Sequence, residues 1–148
     1  MLMNIPKVLS PELLKVLCEM GHGDTILLGD GNYPGAHAAI RGNAKFVRAD
    51  GIGVPQLLDA ILQVFPLDAY TDTPVMLMGV DKKDVGLKIP IQDEFKKIVA
   101  AHDPRGESAI GILERYAYYD KADTCYCIVQ TGEEAIYANV ILQKGVVK

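Results

Sequence analysis

Basic clusters, long apolar runs and paired cysteines are all missing from this chain, and each absence removes a class of function. Lys and Arg number 15 against 19 Asp and Glu in 148 residues, a formal net charge of −4. With no basic stripe, the electrostatic footprint of a nucleic-acid binder is lacking. No run of 18 apolar residues occurs, and Met1 to Val8 hold one lysine and no apolar core, so neither a membrane span nor a signal peptide is expected. The three cysteines are odd in number and follow no framework spacing, which fits a reducing, cytoplasmic compartment. Cys125-Tyr126-Cys127 would need two further soft ligands that do not cluster nearby, so no metal is expected.

Nucleotide and acyl-transfer signatures are absent too. Gly21/Gly23, Gly29/Gly31 and Gly51/Gly53 are glycine pairs one residue apart, but none extends to G-x-G-x-x-G, and no phosphate-binding G-x-x-x-x-G-K-[ST] occurs. There is no G-x-S-x-G elbow, and Cys18, Cys125 and Cys127 all fall in apolar helix or strand runs, which counts against a hydrolase.

What is present is a chain with 49% hydrophobic residues, long enough for one domain over 1–148 with a sizeable core and with apolar surface to spare for contacts between subunits. Ser10-Pro11-Glu12 is a helix start, and Leu13, Leu14, Leu17 and Met20 form its apolar face up to a stop at Gly21. Thr25 to Gly29 reads as a strand covered on both faces, followed by a glycine-rich loop. Strands are expected at Lys45 to Arg48, Pro74 to Gly79, Ile110 to Leu113, Tyr126 to Gln130 and Ala138 to Gln143. Helices are expected from Pro55 to about Phe65, Ile91 to Ala101 and Arg115 to Lys121. Such alternation predicts an α/β fold, a three-layer domain whose mostly parallel central sheet is flanked by helices.

The candidate chemistry centres on Gly21-His22-Gly23-Asp24. Imidazole ionises near neutral pH, and flanking glycines leave it uncovered, so His22 reads as a proton-transfer group. The plainer reading is a helix stop, with Gly21 left-handed and His22 beside the last carbonyls. Asp30 lies just past the carboxyl end of the Thr25 strand, where open α/β sheets bind ligands, and Asp50 and the Tyr116 segment lie at similar ends. Asp50 before Gly51 reads more simply as a turn residue. Arg115 heads Tyr116, Tyr118 and Tyr119, whose rings are expected to pack inward from a helix. Tyr137 and Asn139 would share one face of the last strand, next to the apolar Val140-Ile141-Leu142. His102 ends a helix, and His37 follows the irregular Tyr33-Pro34-Gly35 loop.

Taken in order, Ser10-Pro11-Glu12-Leu13-Leu14, Gly21-His22-Gly23-Asp24, Asp30, Arg48-Ala49-Asp50-Gly51, Arg115, Thr131-Gly132-Glu133, Tyr137-Ala138-Asn139 and Lys144-Gly145-Val146 resemble the fucose mutarotase and ribose pyranase family. The resemblance covers nearly the whole chain. It implies a sugar-anomer isomerase with no cofactor and no metal, in which His22 is the proton donor and Asp30, Arg115, Tyr137, Ala138 and Asn139 contact the sugar. It also implies a ring-shaped homo-oligomer, commonly a decamer, with sites near subunit boundaries. Arg115, where ribose members usually carry histidine, points to the branch acting on L-fucose, whereas Tyr-Ala-Asn in place of Tyr-Gly-Asn is a departure toward the other branch. The alternatives are a ribose pyranase and a non-catalytic sugar-binding accessory. The segments around Gly35 to Lys45 and Asp81 to Pro90 look longer than in relatives.

Overall fold

A computed structural model describes residues 2–148. Helix α1 (Pro11–Glu19) begins as the sequence predicts, with Ser10 Oγ accepting the Leu13 N–H at 3.1 Å and proline in the first turn. Its end differs from expectation. Met20 leaves the helix in extended conformation, and the left-handed residue is Gly23 (φ 87°) rather than Gly21. The helix-end carbonyls of Leu17 and Met20 accept Lys144 Nζ at 2.7 and 2.6 Å, so a lysine from the far end of the chain, and not His22, meets the negative end of the dipole.

The remaining elements are β1 (Thr25–Gly29), α2 (Gly35–Gly42), β2 (Lys45–Ala49), α3 (Val54–Leu62), β3 (Val75–Met78), α4 (Pro90–His102), β4 (Ile110–Leu113), α5 (Arg115–Ala122), β5 (Cys127–Thr131) and β6 (Val140–Gln143), with short 3-10 turns at Lys82–Asp84 and Gly106–Ala109. Among the described residues α2 is the α-helix without a counterpart in the sequence reading, where a loop was expected. Its buried face consists of Gly35, Ala38 and Ala39, too small to give a hydrophobic period. Gly35 donates its N–H to Gln130 Oε1 at 3.1 Å, and a side chain there would collide with that amide.

All six strands form one sheet in the order β2-β5-β1-β6-β3-β4. Five run parallel, and β6 lies antiparallel between β1 and β3. On one face Ile26, Leu28, Val75, Leu77, Cys127 and Leu142 pack under α1, α3 and α4. On the other, Leu27, Met76, Ile128 and Ile141 meet Ala38 and Ala39 of α2 and Tyr118 and Ala122 of α5. This is the three-layer α/β architecture. Because β6 is reversed, the chain enters it at the edge where β1 and β3 end, and this brings Tyr137 to Asn139 beside Asp30.

Candidate functional site

At that carboxyl edge, Asp30, Asn32, Tyr33, Met78, Asp84, Arg115, Tyr119, Ile136, Tyr137 and Asn139 line an open cavity of about 320 Å³, the scale of a small-molecule pocket. Asp30 is its floor and is only 4% exposed. Its Oδ2 accepts Asn139 Nδ2 at 2.9 Å and the Ala138 N–H at 3.3 Å, its Oδ1 accepts the Asn32 N–H at 3.0 Å, and its own N–H donates to Asn139 Oδ1 at 2.9 Å. Burial raises the Asp30 carboxyl above the ordinary carboxylate range, and these hydrogen bonds offset only part of that rise.

Arg115 opens α5, where Glu114 caps the helix by accepting the Tyr116 N–H at 2.9 Å. Its guanidinium pairs with Asp81 at 3.2 Å and stands 5.9 Å above the Tyr119 ring. Tyr119 stacks on Tyr33 at 5.9 Å, so two aromatic faces flank the cationic wall. Of the other tyrosines expected to pack inward, Tyr118 is fully buried, but Tyr116 is exposed. Tyr137 and Asn139 do not share a strand face: both sit in the turn before β6, and Tyr137 has a left-handed backbone (φ 56°). Ala138 is buried, and its contribution is the N–H given to Asp30.

His22 lies elsewhere. It precedes β1, whereas Asp30 follows it, so the length of that strand, about 13 Å, separates them. His22 and Asp30 of one chain therefore form no common site, because residues on the two sides of a strand reach opposite ends of it. Nor does Asp30 orient the His22 of its own chain. His22 Nε2 is 3.1 Å from Asp68 Oδ1, and the His22 ring tilts against Tyr70 at 5.4 Å. Asp68 is buried, while the His22 side chain is 45% exposed.

Asp68 is itself firmly held. Its carboxylate accepts the Tyr70 N–H at 2.9 Å and Gln143 Nε2 at 3.0 Å, and its carbonyl accepts Arg105 Nη2 at 3.0 Å. Burial pushes the carboxyl upward, but the hydrogen bonds from Tyr70, His22 and Gln143 outweigh it and leave Asp68 below the ordinary range. Sequence reasoning missed this residue, since Pro66-Leu67-Asp68-Ala69-Tyr70 carries no motif; its only signal was a lone carboxylate in an apolar stretch.

His37, left unplaced by the sequence, stands on α2 and lines a separate hollow with Arg48 and Asp50. Asp50 is an exposed turn residue paired with Arg48. His102 bonds Asp59 of α3 at 2.7 Å and ties two helices together. Cys18 is exposed on α1, against expectation, while Cys125 and Cys127 are buried as expected.

Residues 3–147 match the RbsD / FucU transport protein family. The chain belongs to that family. It is 43% identical over 148 residues to the fucose mutarotase of Bos taurus, covering 98% of this chain and 94% of the relative. The crystal structure of FucU from Bifidobacterium longum superposes with a TM-score of 0.91 at 52% identity, over 98% of this chain and 99% of that one. The fucose mutarotase from Streptococcus pneumoniae, solved in complex with L-fucose, gives 0.89 at 43% identity over 99% and 100%. Among the described residues no helix is long and apolar enough to cross a membrane.

Proposed function

We propose that this member of the RbsD / FucU family interconverts the α and β anomers of L-fucose, an isomerase acting by ring opening and closure. The observation that carries the reading is the pocket built on Asp30, Arg115, Tyr137 and Asn139, in a chain so similar to a fucose mutarotase solved with L-fucose. Buried carboxylate, guanidinium, phenol and amide groups around an aromatic wall are what a monosaccharide requires: hydroxyl acceptors, hydroxyl donors and a face for its C–H groups.

The reaction moves two protons. One leaves the anomeric hydroxyl and one reaches the ring oxygen as the C1–O5 bond breaks to give the open-chain aldehyde. Rotation about C1–C2 and the reverse transfers close the ring with the other configuration. An imidazole can give and take both protons near neutrality. His22 is that group, and Asp68, bonded to its Nε2, fixes the tautomer and leaves Nδ1 for proton transfer. Asp30 and Asn139 hold sugar hydroxyls on the pocket floor, while Arg115 and Tyr137 hold them on its wall.

A sugar on Asp30 cannot touch the His22 of the same chain, so in this reading a neighbouring copy supplies the imidazole. The exposure of His22 supports such sharing, as does an apolar N-terminal hollow lined by Leu2, Met3, Ile5, Leu9 and Leu14 that a second copy would cover. The assembly is then a homo-oligomer, a decameric ring by family resemblance. A cytoplasmic location accords with three unpaired cysteines.

Saturation-transfer NMR between the anomer signals of L-fucose tests the activity, and the same measurement on D-ribose separates ring-size exchange on that sugar. Calorimetric binding of L-fucose with no acceleration of exchange would favour the sugar-binding accessory.

A further inference from the structure

One short turn at the pocket's rim, whose Asp84 itself lines the cavity, holds two of the pocket's polar side chains. Asp81 caps the 3-10 turn Lys82–Asp84, with Oδ1 accepting the Lys83 N–H at 3.0 Å, and its Oδ2 accepts Arg115 Nη1 at 3.2 Å. The Asp81 N–H donates to the Tyr137 hydroxyl at 3.1 Å, and that hydroxyl donates to Asp84 Oδ2 at 2.6 Å. Tyr137 needs such support. Its left-handed backbone is unfavourable for a residue with a side chain, and its carbonyl is held by Gln92 Nε2, which also binds the Met78 carbonyl, at 3.2 and 2.9 Å.

A phenol has one proton and two lone pairs. In Tyr137 the proton goes to a carboxylate, a charge-assisted bond stronger than one to a neutral acceptor, and one lone pair goes to the Asp81 N–H. The remaining lone pair can only accept. Arg115, by contrast, has one of its five N–H groups engaged by Asp81 and can only donate. We propose that the Asp81–Asp84 turn is a positioning element for sugar recognition, in which Asp84 fixes Tyr137 as an acceptor and Asp81 holds Arg115 over the pocket as a donor.

The pair then selects a ligand with a hydroxyl that can give its proton to Tyr137 and receive one from Arg115. A sugar ether at that position offers no proton and is rejected. The Tyr137 phenol is raised above the ordinary tyrosine value, chiefly by its bond to Asp84, which gives the contact a signature independent of any sugar. Asp84 is a positioning residue here, acting through Tyr137, and the inference rests on the reading that this pocket holds a monosaccharide.

Three readouts on Asp84→Ala, with Asp84→Glu as the conservative control, test it. Calorimetry is expected to show L-fucose binding weakened about tenfold or more in Asp84→Ala and largely restored in Asp84→Glu, as for loss of a hydrogen bond to a charged group. Anomer exchange is expected to show the loss in KM, with the rate at saturating sugar little changed. Titration of the ¹³Cζ signal of labelled Tyr137 is expected to move the phenol back toward its ordinary value. If Asp84→Ala does not fold, Tyr137→Phe, which keeps the ring and loses the hydroxyl, should weaken L-fucose binding similarly. L-Fucose binding within twofold of wild type in the folded variant overturns the proposal, whether or not the phenol shifts. If the wild-type protein itself binds no L-fucose, the function proposed above falls with it; if wild type binds and the variant binds equally well, only the role of the turn is lost.

Discussion

His22 Nε2 lies 3.1 Å from Asp68 Oδ1, joining a half-exposed imidazole to a buried carboxylate 46 residues away. The burden of that pair is unequal. Asp68 is pinned by Tyr70, Gln143 and Arg105, whereas His22 sits in a glycine-flanked turn, so the carboxylate positions the ring rather than the reverse. Replacing Asp68 by Asn should therefore leave sugar binding intact and slow anomer exchange, by less than His22→Ala does. Calorimetry beside exchange NMR checks this; a variant that loses binding and keeps its rate at saturation would show that Asp68 belongs to the sugar pocket instead.

The two buried carboxylates respond to pH with opposite signs. Asp30 is raised in the folded chain, so it contributes stability below the ordinary carboxylate range and loses it as pH rises through the raised value. Asp68 is lowered, so its contribution is full above the ordinary range and is lost as pH falls through the lowered value. Melting temperatures should show the advantage of wild type over Asp30→Asn shrinking as pH rises above the ordinary carboxylate value of about 4, and the advantage over Asp68→Asn growing as pH rises toward about 4 from more acid values. A pH-independent difference for either variant would contradict the assigned environment.

Thiol reactivity should divide the cysteines sharply. Burial raises Cys125 to about 11 and Cys127 to about 12, leaving them protonated and inaccessible at neutral pH, while Cys18 is exposed. One thiol should react with Ellman's reagent in the native protein and three after denaturation, with no loss of exchange activity on modifying Cys18. Loss of activity would reopen a role for a cysteine nucleophile.

The strands, four of the five helices and the α1 cap were legible because each rests on a local signal: an apolar run, a helical period, or a serine followed by proline. Helix α2 was not, since glycine and alanine bury without leaving a period, and its anchor is Gln130 on a distant strand. Asp30, Arg115, Tyr137 and Asn139 were grouped by the family resemblance rather than by any local signal, which joined Asp30 with Asp50 and the Tyr116 segment instead, and the reversed β6 explains how the four meet. Asp68 and the Asp81–Asp84 turn were hidden because their roles arise only from contacts between elements far apart in sequence. His22 was read correctly as uncovered, and the strand Thr25 to Gly29 read between it and Asp30 already carried the sign that the two lie at opposite ends of that strand.

Those opposite ends predict complementation. His22→Ala and Asp30→Ala should each be inactive alone, yet oligomers co-refolded from the two should recover part of the exchange activity, because some interfaces pair an intact pocket with an intact imidazole. Exchange NMR on the mixed sample, with its mass in solution checked by sedimentation, reads the outcome. No recovery in a mixed oligomer of native mass would place both groups of each site in one chain.

The central claim, that His22 moves the protons of ring opening, is tested most directly by saturation-transfer NMR of L-fucose anomers with wild type and His22→Ala at equal concentration. Wild type should exchange saturation between the α and β signals well above the uncatalysed rate, and His22→Ala should fall by about 10²- to 10⁴-fold, the usual worth of a positioned acid/base, while still binding the sugar. Exchange at the wild-type rate in the variant would contradict the account.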